Sequence, residues 1–316
     1  MAIAANLGAP LDIIGLGLAT VDVLLRVSEM PTWEKTTSLS GFCLDGGGPV
    51  ATACVAAARL GKRAGYVGTA GNDLLGEIKL RTLSERGVEL SRVKRREQPE
   101  TQVVVVYVHA ETGERIFAGM REWNMLPLQV EELDREYLTS AKILHLDGTH
   151  PEAARQAAEW MREAGKLVSL DGSRTDGRPL SQEMMELVKR VDLLICGSGF
   201  GLSLTGFSDP WQAGRTMLQF GPHITVQTDG KAGSFTVTDE EQFHTPAFDV
   251  EVVDTTGAGD VFHGAYLVGL LQGWDLKKTA LFAAAAAAIK CSQLGGRRGI
   301  PTFVEIEDFL RKRGLA

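Results

Sequence analysis

The sequence has few cysteines, no excess of positive charge and no long apolar run. Its four cysteines, Cys43, Cys54, Cys196 and Cys291, show no Cys-x-x-Cys spacing, which argues against a disulfide or zinc framework and favours reduced, buried thiols of a cytoplasmic protein. The formal net charge of −7 argues against nucleic acid or an anionic membrane as a partner. The longest apolar stretch, Thr279–Ile289, is too short to span a bilayer and predicts an interior helix. No early basic segment with an apolar core resembles a signal peptide.

Glycine is abundant instead, with 36 residues in a chain of 316, which is typical of many tight turns between strands and helices. From residue 133 onward, apolar runs of strand length alternate with helical patterns. The predicted strands are Ile143–Leu146, Leu167–Leu170, Leu193–Cys196 and Ile224–Gln227, and the predicted helices lie near Pro151–Glu163, Ser181–Lys189 and Trp211–Phe220. This alternation predicts an α/β fold whose mostly parallel sheet is covered by helices on both faces, with ligands at the carboxyl ends of the strands.

A second, smaller sheet is predicted from segments that have no helix beside them. Thr20–Val27 alternates apolar and polar residues, Thr36–Phe42 is a further strand, and Gln102–His109 forms a hairpin with Arg115–Phe117. We therefore expect one domain over residues 1–316, with the strands of the small sheet inserted at about 20–44 and 101–119.

The most informative segment is Asp254–Ala265, which reads Asp-Thr-Thr-Gly-Ala-Gly-Asp-Val-Phe-His-Gly-Ala. The β-branched run Val250–Val253 predicts a strand before it, and the apolar pattern Val261–Leu271 predicts a helix after it. Small residues at a helix start let unpaired amides approach an anion, and the helix dipole adds a favourable field. Asp260 falls in the first helical turn, beside that anion. An anion cradle with an adjacent carboxylate suits phosphoryl transfer.

An ordinary turn capped by an aspartate is the alternative interpretation, and we favour the phosphate site because the matching string is long and includes the acid. Gly15-Leu16-Gly17 suggests a dinucleotide fingerprint, but Thr20 replaces the third glycine and a strand pattern follows. His145 and His263 have no second metal ligand at a useful spacing, so packing or hydrogen bonding is expected of them.

These residues resemble a known family. The 254–265 string is similar to the C-terminal signature of the PfkB/ribokinase carbohydrate kinases, and Gly46-Gly47-Gly48 through Gly61 resembles the N-terminal signature. Within the family, the wording of the glycine segment and of Phe262-His263-Gly264-Ala265 looks most like the sulfofructose-kinase branch. The string Leu144–Gly148 is similar to ketohexokinases.

The resemblance implies a ribokinase-like, Rossmann-type three-layer α/β sandwich with a small β-sheet lid that closes over the sugar and often mediates a homodimer. It implies transfer of the γ-phosphoryl group of ATP to a hydroxyl of a small sugar, with Mg²⁺ and in some relatives K⁺. By residue, it implies a general base at Asp260 and an anion hole at Gly257, Ala258 and Gly259; sugar contacts at Asp22, Gly46, Gly47, Thr52 and Asp147; nucleotide contacts at Thr228, Gly230, Gly233, Gly295 and Gly296; and a monovalent cation at Asp254 and Thr256.

The chain departs from the family pattern at the segment before Leu204-Thr205-Gly206. The usual Asn-x-x-Glu, which helps to organise magnesium and phosphate, is replaced by Gly197 and Phe200. Four functions stay open: a neutral-sugar kinase, a nucleoside kinase, a kinase for an already anionic sugar, and a catalytically silent sugar or nucleotide sensor. For an anionic substrate, the cationic side chains to test first are Lys35, Arg115 and Arg121.

Overall fold

The computed structural model describes residues 10–120, 126–172 and 178–315. Within these residues there are fourteen strands and ten α-helices. The strands are β1 Ile13–Leu16, β2 Thr20–Val27, β3 Leu39–Gly47, β4 Ala64–Val67, β5 Thr69–Gly71, β6 Lys94–Arg96, β7 Val103–His109, β8 Arg115–Gly119, β9 Ile143–Leu146, β10 Leu167–Gly172, β11 Leu193–Gly197, β12 Ile224–Thr228, β13 Ser234–Val237 and β14 Gln242–Thr245. The helices are α1 Pro49–Arg59, α2 Leu74–Ser84, α3 Arg135–Ser140, α4 Pro151–Glu163, α5 Gln182–Val188, α6 Ser198–Thr205, α7 Pro210–Leu218, α8 Ala258–Leu271, α9 Leu276–Lys290 and α10 Phe303–Arg311.

The main sheet has eight strands in the order β14-β13-β12-β11-β10-β9-β1-β4. Strands β4, β1, β9, β10, β11 and β12 run parallel, and β13 and β14 are antiparallel additions at one edge. Since the strands are buried on both faces, neighbouring residues enter different cores: Ile13 packs in one apolar cluster and Ile14 in the other. The predicted three-layer α/β architecture is therefore confirmed.

Helices α1, α8 and α9 cover one face of this sheet, and α4, α6 and α7 cover the other. The apolar stretch Thr279–Ile289 lies inside α9, as expected. All four cysteines are free and buried. No helix within the described residues has both the length and the apolar character needed to cross a membrane.

Small residues bring α1 and α8 into close contact. A methyl group built on Gly264 would lie 2.5 Å from the carbonyl oxygen of Ala53 and 2.7 Å from the Cβ of Ala56. A larger side chain at position 264 would therefore force the helices apart. This packing fixes the direction of α8, and with it the position of its first turn.

The second sheet has the strand order β3-β2-β7-β8 and stands apart from the main one. The predicted hairpin is present, with Gly113 in its turn at a φ of +67°. Strand β3 begins later than predicted, at Leu39, and it continues through Gly46 and Gly47 because these glycines pair with Val21 and Thr20 of β2. The turn between β3 and α1 comes one residue later, at Gly48, which has a φ of +91° and caps α1.

The strand predicted at Val250–Val253 was wrong. This segment pairs with no strand, and its backbone is instead held by the end of α9: the amides of Val253 and Asp254 donate to the carbonyl oxygen of Cys291 at 2.8 and 3.1 Å. The side chain of Val252 packs against the turn between β7 and β8, since a methyl group on Gly113 would lie 2.6 Å from its Cγ1. Packing against the hairpin thus accounts for the β-branched residues.

Candidate active site

The turn before α8 exposes backbone donors to open space. Gly257 caps the helix with a φ of +75°, a conformation that glycine adopts without strain. The amides of Gly257, Gly259 and Asp260 have no hydrogen-bond partner within the described part of the chain, whereas the amide of Ala258 donates to Thr255 at 3.3 Å. A methyl group on Gly259 would meet nothing within 4 Å, so an anion has room to approach these amides.

Asp260 lies in the first turn of α8, as predicted, next to these donors. Burial and the nearby Asp171 carboxylate raise the pKa of Asp260 to about 6, while His263, Arg115 and Arg297 oppose the rise. Its carboxylate is therefore mostly ionised at neutral pH but a stronger base than an exposed aspartate. That is the protonation state that a general base needs.

A buried cluster of three side chains, Asp171, His263 and His145, lies close to Asp260. His263, one turn along α8, has its Nδ1 3.1 Å from Oδ2 of Asp171, and its ring lies 5.7 Å from that of His145 in a T-shaped arrangement. Burial alone would lower the pKa of His263, but Asp171 and Asp260 outweigh it and raise the pKa. Burial and His263 lower the pKa of His145 to about 3. The cluster thus favours the protonated form of His263 and the neutral form of His145.

The three side chains offer one ligand atom each within 4.8 Å of one another, although their sequence spacing gave no sign of it. The contact of Asp171 with His263 is at ion-pair distance and His145 Nδ1 is 3.2 Å from Ser169 Oγ, whereas His145 Nε2 has no hydrogen-bond partner among the described residues. Asp171 is a residue that the sequence reasoning missed. Its signal was its place at the carboxyl end of a buried strand, beside the end of β9.

In the small sheet, Asp22 of β2 lies against the double glycine of β3. A methyl group on Gly47 would lie 2.1 Å from Oδ2 of Asp22, and Oδ1 accepts a hydrogen bond from the Thr20 hydroxyl at 2.6 Å. Burial raises the pKa of Asp22 to about 6, against the effects of Thr20 and Arg297. Only glycine fits at position 47 without displacing this carboxylate.

The C-terminal glycine loop brings the two halves of the site together. A methyl group on Gly296 would lie 3.1 Å from the carbonyl oxygen of Gly46 and 4.0 Å from Oδ2 of Asp22, while one on Gly257 would lie 2.6 Å from the carbonyl oxygen of Gly296. The predicted sugar-contacting Asp22 and Gly46 therefore meet the predicted anion hole across Gly296.

Arg297, which follows this loop, is a buried cation that the sequence reasoning also missed. Its guanidinium donates to Thr52 Oγ1 at 3.2 Å, to Thr82 Oγ1 at 2.9 Å and to the carbonyl oxygen of Gly47. Its backbone amide donates to Asp45 Oδ2 at 2.9 Å. Three elements, β3, α1 and α2, are thereby tied to the loop, and the run Gly295-Gly296-Arg297-Arg298-Gly299 was the signal for it.

Two residues predicted to contact sugar have other partners here. The Thr52 hydroxyl is fully buried and accepts the bond from Arg297. The Asp147 carboxylate accepts the amides of Leu18 at 2.8 Å and of Thr149 at 2.9 Å, which fixes the turn after β1. Sugar contact by either side chain stays a prediction.

The predicted nucleotide residues lie at the carboxyl ends of neighbouring strands and in the C-terminal loop. Thr228 pairs with Gly197 at the ends of β12 and β11, and its hydroxyl donates to the carbonyl oxygen of Cys196 at 3.3 Å. Gly230 has a φ of +52° and open space around it, whereas Gly233 packs tightly on Thr245.

The segment at residues 197–206 supplies no carboxylate, and Phe200 is buried in the core. Where relatives carry Asn-x-x-Glu, this chain therefore contributes apolar packing.

Of the two residues predicted for a monovalent cation, Asp254 is engaged with protein groups, whereas the Thr256 hydroxyl is buried without a hydrogen-bond partner among the described residues. The carboxylate of Asp254 accepts the amides of Thr256 at 2.8 Å and Gly295 at 2.9 Å, and its carbonyl oxygen accepts the ammonium of Lys290 at 2.9 Å. Lys290 was not foreseen from the sequence.

Comparison with known proteins decides the family. The family model described as "pfkB family carbohydrate kinase" matches residues 12–302. The chain belongs to this family. The kinase is 29% identical over 301 residues to the ATP-dependent ribose-1-phosphate kinase of Halopiger xanaduensis, covering 95% of this chain and 98% of that protein. It is 27% identical over 323 residues to the 5-dehydro-2-deoxygluconokinase of Geobacillus kaustophilus, covering 96% and 94%.

Among solved structures, the ribokinase of Arabidopsis thaliana complexed with ribose and ATP has a TM-score of 0.80 at 25% identity, covering 96% of this chain and 99% of that one. The ribokinase-like fold is confirmed. As a pfkB carbohydrate kinase, the protein is an enzyme that catalyses ATP-dependent phosphorylation of a sugar.

The charge on His263 predicts a shift in pH dependence. In the wild type, kcat/KM should fall below a pH of about 6, by roughly tenfold or more per pH unit, as Asp260 and Asp22, which share a pKa of about 6, become protonated. His263→Gln removes a positive charge that lowers the pKa of Asp260, so the acidic limb should move to higher pH. The measurement is kcat/KM from pH 5 to 8. His145→Gln is the matched control, since a neutral histidine is replaced and the limb should stay in place. An acidic limb unchanged in His263→Gln would contradict this assignment.

Proposed function

We propose that Asp260 takes the proton from one sugar hydroxyl while the amides of Gly257, Gly259 and Asp260 hold the γ-phosphoryl group of ATP. The observation that carries the proposal is the position of Asp260: its carboxylate stands in the first turn of α8 beside amides without partners in the described chain. The predicted transition state is loose, so the hydroxyl becomes strongly acidic late, and an ordinary carboxylate is a sufficient base.

The sugar binds over Asp22 and the double glycine Gly46-Gly47. Asp22 is buried and ionised at neutral pH, and an ionised carboxylate accepts hydrogen bonds from hydroxyl groups. The backbone of the glycines permits close approach of the sugar ring. Since Gly296 links Asp22 to Gly257, a small sugar at Asp22 lies within reach of the anion hole. Burial of these polar groups on strand ends gives the orientation that catalysis needs.

ATP enters as its magnesium complex, and we propose that it lies along Thr228, Gly230, Gly233 and the loop Gly295-Gly296. The Arabidopsis ribokinase that resembles this chain was solved with ATP. Because the segment at 197–206 offers no carboxylate, the metal arrives with the phosphates of the substrate rather than in a prepared site there.

The anion hole and the small sheet contribute to the rate of phosphoryl transfer in different ways. One preorganised donor at a developing anion contributes about 3 kcal/mol, or roughly a hundredfold in rate. The small sheet acts as a lid that excludes water from the bound phosphates. Its hairpin already touches the catalytic segment, since the Thr255 hydroxyl donates to the carbonyl oxygen of Gly113 at 3.2 Å.

A second candidate, an anionic sugar, is favoured by one arginine and by the relatives. Arg115 extends from β8 of the small sheet and donates to Thr255 Oγ1 at 2.6 Å, two residues before Gly257. The substrates named for the two relatives, ribose 1-phosphate and 5-dehydro-2-deoxygluconate, both carry an anionic group. Lys35, by contrast, is exposed and paired with Glu29 at 2.7 Å. Arg121 lies outside the described residues.

The small sheet also offers a face for a homodimer. Phe42, Leu25, Tyr107 and Ile116 stand opposite one another across all four strands, and Phe42 and Ile116 are 61% and 59% exposed. We call this row the lid row. A contiguous exposed apolar row on a sheet is typical of an interaction site. We propose that two copies of the chain bury it against each other.

Asp260→Asn should bind ATP and sugar but lose turnover by about 10²–10⁴-fold, the usual contribution of a general base. The measurement is sugar-dependent ADP release over a panel containing ribose, fructose, adenosine, ribose 1-phosphate and 5-dehydro-2-deoxygluconate. Asp22→Asn is the control and should raise KM for the sugar more than it lowers kcat. Near-normal turnover of Asp260→Asn would remove it from the base role. A sensor would release no ADP with any compound, and turnover of adenosine alone would make the protein a nucleoside kinase.

Arg115→Gln tests the charge of the substrate. If the sugar is anionic, its KM should rise about tenfold or more and lose its dependence on salt, while KM for ATP changes little. Lys35→Gln, which removes an exposed and distant lysine, should leave both constants unchanged. Equal KM values for wild type and Arg115→Gln with every anionic sugar in the panel would reject the second candidate.

The lid row predicts the oligomeric state. The wild type should sediment as a dimer, and the double variant Phe42→Lys, Ile116→Lys should sediment as a monomer because it places charges on both edges of the row. Val304→Lys, at an exposed apolar position on α10, is the control and should leave the dimer intact. A wild-type monomer at micromolar concentration would refute the proposal.

A further inference from the structure

Lys290, the last residue of α9, has a fully buried side chain. Its ammonium donates to the carbonyl oxygen of Asp254 at 2.9 Å and lies 4.0 Å from Oδ2 of the same residue. An isolated charge is costly to remove from water, so a buried lysine is retained where its charge has acceptors around it. Here the acceptors belong to the segment that leads into the anion turn.

The surroundings of Lys290 hold that segment in place. Asp254 accepts the amides of Thr256 and Gly295, and the carbonyl oxygen of Cys291, the residue after Lys290, accepts the amides of Val253 and Asp254. Three separate parts of the chain therefore meet around one ammonium: the end of α9, the residues before Gly257 and the C-terminal glycine loop.

This is the place where the family resemblance implied a monovalent cation, with Asp254 and Thr256 among its ligands. The residues present do not fit such an ion, because the Thr256 hydroxyl is the one side-chain oxygen of this pair that lacks a hydrogen-bond partner within the described chain, and a single oxygen does not make a cation site. The carbonyl oxygen of Asp254 is taken by the ammonium, and each carboxylate oxygen accepts a backbone amide. A second unit charge beside the ammonium would also be repelled.

We propose that the ammonium of Lys290 serves as a built-in monovalent cation behind the anion hole, so that this kinase needs no K⁺. The ammonium is a compact point charge like the ion it replaces, and it is covalently attached to the chain. Burial lowers the pKa of Lys290, and the Asp254 carboxylate opposes that fall and favours the charged form. It keeps Asp254, and through Asp254 the amides of Thr256 and Gly295, in the arrangement that shapes the turn at Gly257. The catalytic part of this proposal rests on the proposed function; the binding part does not.

The wild type is tested first, with K⁺ exchanged for tetramethylammonium at constant ionic strength. Both kcat/KM and the midpoint of thermal unfolding should be the same in the two salts. In Lys290→Ala, the cavity exposes the carbonyl and carboxylate oxygens of Asp254. This variant should unfold at a lower temperature and turn over at least about tenfold more slowly without K⁺. Added K⁺ should raise its midpoint by roughly 2 °C and restore part of its rate, because a ligand that binds only the folded state stabilises it.

Ile289→Ala is the matched control, since it shortens the adjacent side chain of α9 without uncovering Asp254. It should lower the unfolding midpoint equally in both salts. If Lys290→Ala does not fold, the comparison of the two salts in the wild type still decides.

Three results would overturn the proposal: a K⁺-specific rise in the rate or unfolding midpoint of the wild type, a folded Lys290→Ala with wild-type rate in tetramethylammonium, or a folded Lys290→Ala that does not respond to K⁺. A protein that phosphorylates no sugar but shows the expected unfolding midpoints would refute the proposed function and support the cation site.

Discussion

Capture of the C-terminal glycine loop by two buried carboxylates is the interaction on which the site depends. The amide of Gly295 donates to Asp254 and the amide of Arg297 donates to Asp45, so the loop is held between the catalytic segment and the small sheet. Gly296, between these two amides, touches both Gly46 and Gly257. Without these bonds, the proposed sugar-binding residues and the proposed anion hole would have no fixed distance and orientation relative to each other. Effective catalysis requires that geometry to be held closely.

The charges of the site follow from the same arrangement. Buried carboxylates are close enough to raise one another's pKa, and cationic side chains oppose that rise: Arg297 at both Asp22 and Asp260, and His263 and Arg115 at Asp260. As a result, Asp22 and Asp260 keep a pKa of about 6 in an environment that could otherwise have left them neutral. A base that is desolvated yet ionised at neutral pH suits proton removal from an alcohol.

Much of the architecture could be read from the sequence, because hydrophobic periodicity and glycine placement are local signals. The parallel strands, the hairpin and the start of α8 were predicted from them, and the family signatures fixed the reaction. Val250–Val253 failed because its apolar character serves contact with the hairpin, which the local pattern cannot show. The partners of Arg297 and Lys290 were missed for a related reason: their roles come from contacts with residues as much as 252 positions away in the sequence. The family resemblance predicted that Thr52 and Asp147 contact the sugar, whereas the structure shows a protein partner for each side chain. A sequence motif cannot distinguish a side chain that binds a ligand from one that binds another part of the protein.

The central claim is that Asp260 and the amides at the start of α8 act on the same transferring group. A crystal structure with a non-hydrolysable ATP analogue and a sugar that is phosphorylated tests it most directly. We expect one sugar hydroxyl within about 2.6–3.2 Å of the Asp260 carboxylate, and the terminal phosphate oxygens on the amides of Gly257 and Gly259. A terminal phosphate bound away from these amides, or an Asp260 carboxylate directed away from every sugar hydroxyl, would contradict the account.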